Sequence, residues 1–179
     1  ESYRKLFESS VDGIYVTTPS GDLLDANPAL ARMMGYATPK DLIEGIKDVA
    51  TNVYLHPEAR AQYQHLMQRD GMVREFEYQV QARDGSILWL SDSASAVRND
   101  AGEVTRYEGV VRDITDQKRA EDAIAEGRRL LQQVIDTVPA VINVKDRDLR
   151  YVLMNRYMAG IFGIEPHEAL GRTTGDLMS

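Results

Sequence analysis

Apolar and polar positions near the start of the chain predict a pair of strands followed by a helix. Residues 13–17 have the pattern of a short strand, and turn residues at 19–22 lead into a second apolar stretch at 23–25. Two such segments joined by a tight turn are typical of a β-hairpin. Asn27 and Pro28 suit the N-cap and first position of a helix, because Asn accepts from free amides and Pro lacks the N–H that would be left unpaired.

The middle of the chain predicts one longer helix and then three strands. The helix runs from Pro57 to about Arg69, after which the period changes, so that Phe76, Tyr78 and Val80 share one face of a strand. Turn residues at 83–86 and 99–102 separate that strand from two more, at 87–97 and 104–112. The predicted order is therefore two strands, several short helices and three hairpin-linked strands.

The pattern of the first hairpin and helix occurs again near the end of the chain. Aligning Val16 with Val144 also places Asn27 on Asn155. We therefore expect a second, incomplete copy of the same module. Without the three later strands, its edge and some apolar side chains would lack cover, so we expect the copy to pair with a neighbouring chain or to be less protected. These side chains are Val141, Val144, Val152 and Phe162.

Between the two copies, a polar segment has apolar or small residues spaced alternately four and three apart. This spacing is typical of a heptad seam. It predicts a helix that pairs with the same helix of another chain; packing on its own domain is the alternative. The residues assigned to dimerisation are Ala120, Ile124, Leu131 and Val134, with an amphipathic segment containing Tyr3, Leu6 and Phe7 as a further contributor.

Composition narrows the function classes. With 28 acidic and 21 basic side chains among 179 residues, the formal net charge of -7 argues against nucleic acid and anionic membranes as partners. The absence of cysteine excludes disulfides, thiolate metal sites and a Cys-flavin adduct, and it fits a reducing compartment such as the cytoplasm. Apolar stretches fall short of the roughly 18 residues that a membrane span needs. Because the chain begins at Glu1, we expect it to be a piece of a longer protein.

Several short motifs resemble those of the PAS sensor family. They lie at the start and the end of the first helix, at the entry of the longer helix, in the turn before Trp89 and at the end of the last strand: residues 25–29, 35–36, 56–60, 83–86 and 109–118. The resemblance implies an α+β fold in which a five-stranded antiparallel sheet has helices on one face, and these elements enclose a small cavity. It also implies a role in sensing or relaying signals within a bacterial signalling protein, such as a two-component system.

The resemblance also implies a division of the chain. An N-terminal amphipathic helix at 1–9 would precede a PAS domain at 10–114, a linker or coiled-coil helix at 115–137 and a partial second PAS domain at 138–179. Asp113, Ile114 and Thr115 resemble the junction that joins PAS domains to a signalling helix. Residues of this type can also cap a helix, which by itself indicates only where a strand stops and a helix begins.

Candidate chemistry is sparse. The chain contains no nucleotide-binding glycine loop, no H-E-x-x-H zinc motif and no G-x-S-x-G nucleophile motif. His65 is the sharpest ligand candidate, but its polar neighbours indicate an exposed side chain, so we expect no haem. The cofactor is unknown. Tyr78, Ser91 and Ser93 are candidates to line a ligand pocket, with solvent or a packed core as the alternative.

These features together predict a noncatalytic sensor module. It would dimerise, be open to a small-molecule ligand and control a C-terminal output domain such as a histidine kinase or a cyclic-nucleotide enzyme. The alternative is a small-ligand-binding enzyme on a related α+β scaffold. An acid/base or nucleophile pair within reach in the cavity would favour that alternative.

Overall fold

The computed structural model describes residues 2–46 and 53–178, with side chains from Arg4 onward. Clustering of contacts along the chain gives two compact units, residues 1–118 and 119–179. The helices within the described residues are α1 (Ser2–Ser9), α2 (Pro28–Met33), α3 (Pro39–Gly45), α4 (Pro57–Asp70), α5 (Thr115–Asp136), α6 (Arg156–Phe162), α7 (Pro166–Ala169) and α8 (Thr174–Leu177). The strands are β1 (Gly13–Thr17), β2 (Leu23–Ala26), β3 (Met72–Gln81), β4 (Ile87–Arg98), β5 (Val104–Asp113), β6 (Asn143–Lys145) and β7 (Tyr151–Met154).

The first unit contains a five-stranded antiparallel sheet in the order β2-β1-β5-β4-β3. The first strand lies beside the last, with Tyr15 opposite Gly109 and Gly13 opposite Val111. Gly109 is required at its position because a Cβ there would collide with the Tyr15 ring. The predicted α+β class and five-stranded sheet are confirmed.

Helices α2, α3 and α4 and one face of this sheet contribute to a shared core. Asn27 holds the start of α2, because its side-chain oxygen accepts from the amides of Leu30 and Ile14, both at 2.9 Å. Its amide group donates to the carbonyls of Phe7 and Asp12. One fully buried side chain thus fixes α1, β1 and α2 against each other, as the predicted N-cap required.

The second unit contains the C-terminal part of α5 and the β6-β7 hairpin, followed by α6, α7 and α8. Its buried apolar residues form a small cluster: Tyr151, Met154, Ala159 and Ala169. Phe162 is partly buried against this cluster, so the expectation that it lacks cover is wrong. Val141, Val144 and Val152 are each more than half exposed, in agreement with the expectation that they lack cover.

The N-terminal segment forms α1, but only part of its predicted apolar face can be placed. Leu6 is 68% exposed, and the side chain of Tyr3 lies outside the described residues. Residues 51 and 179, the corresponding ends of the two copies, also lie outside them.

Candidate functional site

A cavity of about 60 Å³ lies within the core of the first unit. About half of the lining residues are aliphatic, including Leu30 on α2, Leu42 on α3, Val111 on β5, and Ile46 and Val53 between α3 and α4. Besides Thr17, the polar part of the lining comes from four tyrosines, one carboxylate and one guanidinium: Tyr15, Tyr54, Tyr63, Tyr78, Asp92 and Arg60. We call these six residues the polar cluster.

Asp92 is the acceptor at the centre of the polar cluster. Its side chain is 1% exposed, and its Oδ2 accepts from the hydroxyls of Tyr15 at 2.9 Å and Tyr78 at 3.2 Å. The Tyr15 hydroxyl also lies 2.9 Å from that of Tyr63, so three tyrosines belong to one hydrogen-bonded network. Asp92 Oδ1 has no hydrogen-bond partner among the described residues.

Burial gives the Asp92 carboxyl unusual acid-base behaviour. Removal from water raises the pKa of Asp92 from 3.8 to about 7, although the hydrogen bonds from Tyr15 and Tyr78 act in the opposite direction. Burial also raises the pKa of Tyr54 to about 12 and the pKa values of Tyr15 and Tyr78 well above 10, with the nearby Asp92 charge adding to each. Near neutral pH, Asp92 therefore exchanges a proton while the tyrosines stay neutral.

Arg60 places a cation beside the same cavity from α4. Its side chain is buried at 8% exposure, and its guanidinium carbon lies 5.7 Å from the Tyr54 ring centre and 5.6 Å from that of Tyr63. Contacts of this length are typical of cation-π interactions. Tyr54 is in turn stacked on Tyr78 at 4.6 Å between ring centres. Arg60 Nε and Nη2 are buried without hydrogen-bond partners among the described residues.

The structure corrects part of the predicted pocket lining. Tyr78 lines the cavity, but Ser91 and Ser93 do not. The register places Tyr78 opposite Leu90, so the cavity face of β4 carries Leu90, Asp92 and Ala94, and the serines point to the other face. Ser93 is exposed, and its Oγ accepts from the Glu75 amide.

Asp92 and Arg60 were missed at the level of sequence. The signal for Asp92 was a single acid in phase with Leu90 and Ala94 on a strand, where an inward-facing charge needs a reason. For Arg60 the signal was weaker, because an arginine in the first turns of a polar helix is common on a solvated face.

The predicted signal-transmission residues lie where β5 ends and α5 begins. The Ile114 amide donates to the Trp89 carbonyl at 2.9 Å, and the Trp89 amide donates to the Thr115 hydroxyl at 2.9 Å. The Asp113 carboxylate accepts from the Thr115 amide, the first of the helix, at 2.8 Å. We call Asp113, Ile114 and Thr115 the helix junction; both backbone groups of Trp89 hold it.

A cation next to the helix junction adds a second connection to the sheet. Lys118 Nζ lies 2.6 Å from Glu77 Oε2 on β3 and 5.4 Å from the centre of the Trp89 ring on β4. The first turn of α5 is therefore connected to β3 and β4 as well as to β5.

The residues predicted to form a dimer seam are exposed along α5. Ile124, Leu131 and Val134 have 58%, 51% and 56% of their surface exposed, and Ala120 is also exposed. These side chains are available to a partner, but their role in dimerisation stays a prediction.

The histidines do not line the cavity described above. His65 is exposed on α4, as the sequence indicated, and His56 is exposed with Nε2 3.1 Å from the Gln79 side-chain oxygen. Across residues 2–46 and 53–178, acidic and histidine side chains nowhere gather in threes as a metal site would require. In the same residues, no helix is both long and apolar enough to cross a membrane.

Comparison with known proteins identifies the fold family. The model of a PAS fold matches residues 23–111, and a second PAS fold model matches residues 135–179. A sensory box histidine kinase/response regulator from Burkholderia thailandensis is 26% identical, with a TM-score of 0.56 over 74% of this chain and 99% of that one. A domain of a related sensor from Geobacter sulfurreducens is 28% identical, with a TM-score of 0.50 over 63% of this chain and 91% of that one.

Curated relatives are sensory proteins of much greater length. The sensor histidine kinase TmoS of Ectopseudomonas mendocina is 27% identical over 74% of this chain, and the nitrogen fixation regulatory protein of Klebsiella pneumoniae is 26% identical over 84%. The matched region spans 14% and 30% of those two proteins. The matches to both copies and the five-stranded sheet agree, and the chain belongs to the PAS family of sensory modules.

Proposed function

We propose that the chain detects a change in the cavity of the first unit and relays it through β4 and the helix junction to α5. The observation that carries this proposal is the position of two residues on one strand. Asp92 contributes to the cavity, and Trp89, three positions before it, holds the helix junction through its amide and its carbonyl. A shift of β4 at Asp92 would therefore act directly on the first turn of α5.

The physical basis of the relay is a change in hydrogen bonding at Asp92. When its carboxyl gains or loses a proton, or contacts a bound molecule, its bonds with Tyr15 and Tyr78 change in strength. These tyrosines belong to β1 and β3, so β4 would adjust relative to both strands. A packed sheet transmits such an adjustment because its interior is not easily compressed.

On this proposal α5 carries the signal to an output region of the longer protein, such as a histidine kinase. Exposed Ile124, Leu131 and Val134 would pair with the same helix of a second copy, and the resulting homodimer would couple two sensors. Residues 10–114 would be the sensing domain, 115–137 the linker helix and 138–179 a partial second PAS domain. The module itself would bind and relay without catalysing a reaction.

The alternative of an enzyme is less well supported by the cavity. Asp92 has a pKa suited to proton transfer, but burial raises the pKa values of the surrounding tyrosines, which keeps them from acting as nucleophiles or bases. The polar cluster therefore holds one group that titrates near neutral pH, and its tyrosines provide neither a nucleophile nor a second base.

Hydrogen exchange of the helix junction at pH 5.5 and pH 8 tests the relay. After correction for intrinsic exchange rates, we expect the Trp89 and Ile114 amides to change protection as Asp92 ionises. Asp92→Asn should abolish this change, while Asp100→Asn, which removes an exposed carboxyl from the turn after β4, should leave it intact. Equal protection at both pH values in the parent chain would contradict the proposal.

A further inference from the structure

We propose that the cavity binds a short carboxylate with a second polar group, such as glycolate, with Arg60 holding the carboxylate and Asp92 the second group. The inference rests on the proposed sensing role of the cavity and specifies the class of molecule sensed. It stands on the geometry of Arg60, on the unpartnered atom of Asp92 and on the size of the cavity.

The unpaired atoms of Arg60 are the two that arginine uses to grip a carboxylate from the side. Nε–H and Nη2–H lie on the same edge of the planar guanidinium and point in parallel, which matches the two oxygens of a carboxylate. At Arg60 both atoms are buried and without a hydrogen-bond partner among the described residues.

Other arginines of this chain, such as Arg69 and Arg129, bind a carboxylate through the same edge. Arg69 Nε and Nη2 lie 2.9 and 2.6 Å from the two carboxylate oxygens of Asp70, and those of Arg129 lie 3.2 and 2.8 Å from Glu126. Both pairs are on the surface. Arg60 presents this edge inside the protein, where unpaired charged donors are costly and a bound carboxylate would satisfy both at once.

Asp92 provides the contact at the other side of the ligand. Its Oδ2 is already taken by Tyr15 and Tyr78, and its Oδ1 has no partner among the described residues, so Oδ1 is the free position. A hydroxyl or ammonium group on the ligand can donate to this oxygen. A protonated Asp92 can instead donate to the ligand, so the contact survives in either state of the carboxyl.

The volume of the cavity restricts the ligand to a few atoms. A water needs about 10–15 Å³ measured in this way, and an engineered cavity of about 150 Å³ holds benzene. By these two references, a cavity of about 60 Å³ suits a molecule of about two to five non-hydrogen atoms, and glycolate lies at the upper end of this range. The aliphatic lining formed by Leu30, Leu42 and Ile46 covers its carbon atoms and leaves room for little else.

Titration of the chain with glycolate, followed by calorimetry and by NMR shifts of residues 60–63 and 90–94, tests this inference. We expect saturable binding of glycolate, weaker binding of acetate, and none of neutral glycolamide or of bulky hexanoate. Arg60→Gln should weaken glycolate binding by at least about tenfold, and Arg60→Lys, which keeps the charge but not the fork, should also weaken it. Arg69→Gln, on the same helix but exposed, is the matched control and should bind as the parent does.

The results of this titration distinguish failure of the ligand proposal from failure of the proposed relay. Three results would overturn the inference: no saturable binding of glycolate, binding of glycolamide as tight as that of glycolate, or unchanged glycolate binding by a folded Arg60→Gln variant. The cavity would then hold water only. If any of these results is found while the pH response of the helix junction persists, the proposed relay is supported and only the ligand proposal is wrong. If glycolate binds through Arg60 but the junction amides do not respond, the ligand class stands and the relay is wrong. Melting curves of both Arg60 variants show whether they fold.

Discussion

The two units begin with the same structural device and then differ in what covers it. Asn27 and Asn155 are both fully buried N-cap residues. Each side-chain oxygen accepts from an amide near the start of the first strand of its hairpin, Ile14 on β1 at 2.9 Å and Ile142 directly before β6 at 3.1 Å, and from an amide of its own helix. Local sequence is therefore sufficient to produce the hairpin and the helix that follows it.

The difference lies in the strands beside the hairpin. In the first unit β1 pairs with β5 along its whole length, and Tyr15 is 8% exposed. In the second unit the sheet within residues 119–178 consists of β6 and β7, and Val144 and Val152 are 52% and 58% exposed. The comparison teaches that burial of a PAS hairpin, and the cavity that depends on it, comes from strands distant in sequence.

The buried carboxyl of the first unit gives the largest predicted contrast between the units. Unfolded Asp92 releases its proton near pH 3.8 and folded Asp92 near pH 7, so the free energy of unfolding falls as pH rises between these values. Asp92→Asn should remove this loss and raise the stability of the first unit at pH 8 by up to roughly 4 kcal/mol. Urea unfolding of the parent chain and of Asp92→Asn at pH 4 and pH 8 measures this gain in stability. An equal effect of the substitution at both pH values would contradict the raised pKa of Asp92. Melting of the second unit should not change.

Substitution of the two buried asparagines tests whether the asparagine N-cap stabilises both units to the same extent. Asn27→Ala loses four hydrogen bonds that connect α1, β1 and α2, and we expect a loss of about 3 kcal/mol in the first unit. Asn155→Ala is the matched change and should leave the unfolding of the first unit unaltered. Hydrogen exchange measured for individual amides distinguishes the two units. If Asn155→Ala reduced the protection of amides in β1, the prediction that it affects the second unit alone would be wrong.

Valine-to-threonine substitutions compare how far strand residues are buried in the sheets of the two units. Val111 is 2% exposed on β5 and Val152 is 58% exposed on β7. Val111→Thr buries a hydroxyl in an apolar site and should cost about 2 kcal/mol, whereas Val152→Thr should cost less than about 0.5 kcal/mol. Thermal unfolding of both variants is the measurement. A large loss for Val152→Thr would mean that another chain covers β7 in solution.

The smallest effect on the stability of either unit is expected from the exposed seam of α5. Charged residues at Ile124 and Leu131, introduced together as Ile124→Glu and Leu131→Glu, should leave the melting of both units unchanged while preventing dimerisation. Sedimentation at micromolar concentration compares the masses. The same mass for the parent and the double variant would show that these residues are not the seam.

The sequence was sufficient for the elements whose signals are local. Helix-capping residues such as Asn27 and Pro28 and the alternation through Phe76, Tyr78 and Val80 predicted strands and helices that the structure contains. The facing of β4 was not predictable in the same way, because apolar residues occur on both faces at its start, from Ile87 to Leu90, and the inward face then carries the acid Asp92. Its register depends on β3, where pairing shifts between Val73 and Phe76.

The polar cluster could not be assembled from the sequence because its members come from separate elements. Arg60 belongs to a helix with little apolar contrast, and Asp92 lies on a strand of uncertain facing. Tyr15 reaches Asp92 only because β1 crosses to β5 and Gly109 leaves space for its ring. These contacts depend on tertiary structure, whereas the helix junction lies on one continuous segment and could be assigned from its motif.

The most direct test of the account is an NMR titration that follows the Asp92 side-chain carboxyl together with the Trp89 and Ile114 amides. The account predicts that the carboxyl titrates near pH 7 and that both amides shift with the same midpoint. In Asp92→Asn the amide shifts with that midpoint should disappear. Amides that stay constant while Asp92 titrates, or that shift unchanged in Asp92→Asn, would contradict the relay from the cavity to α5.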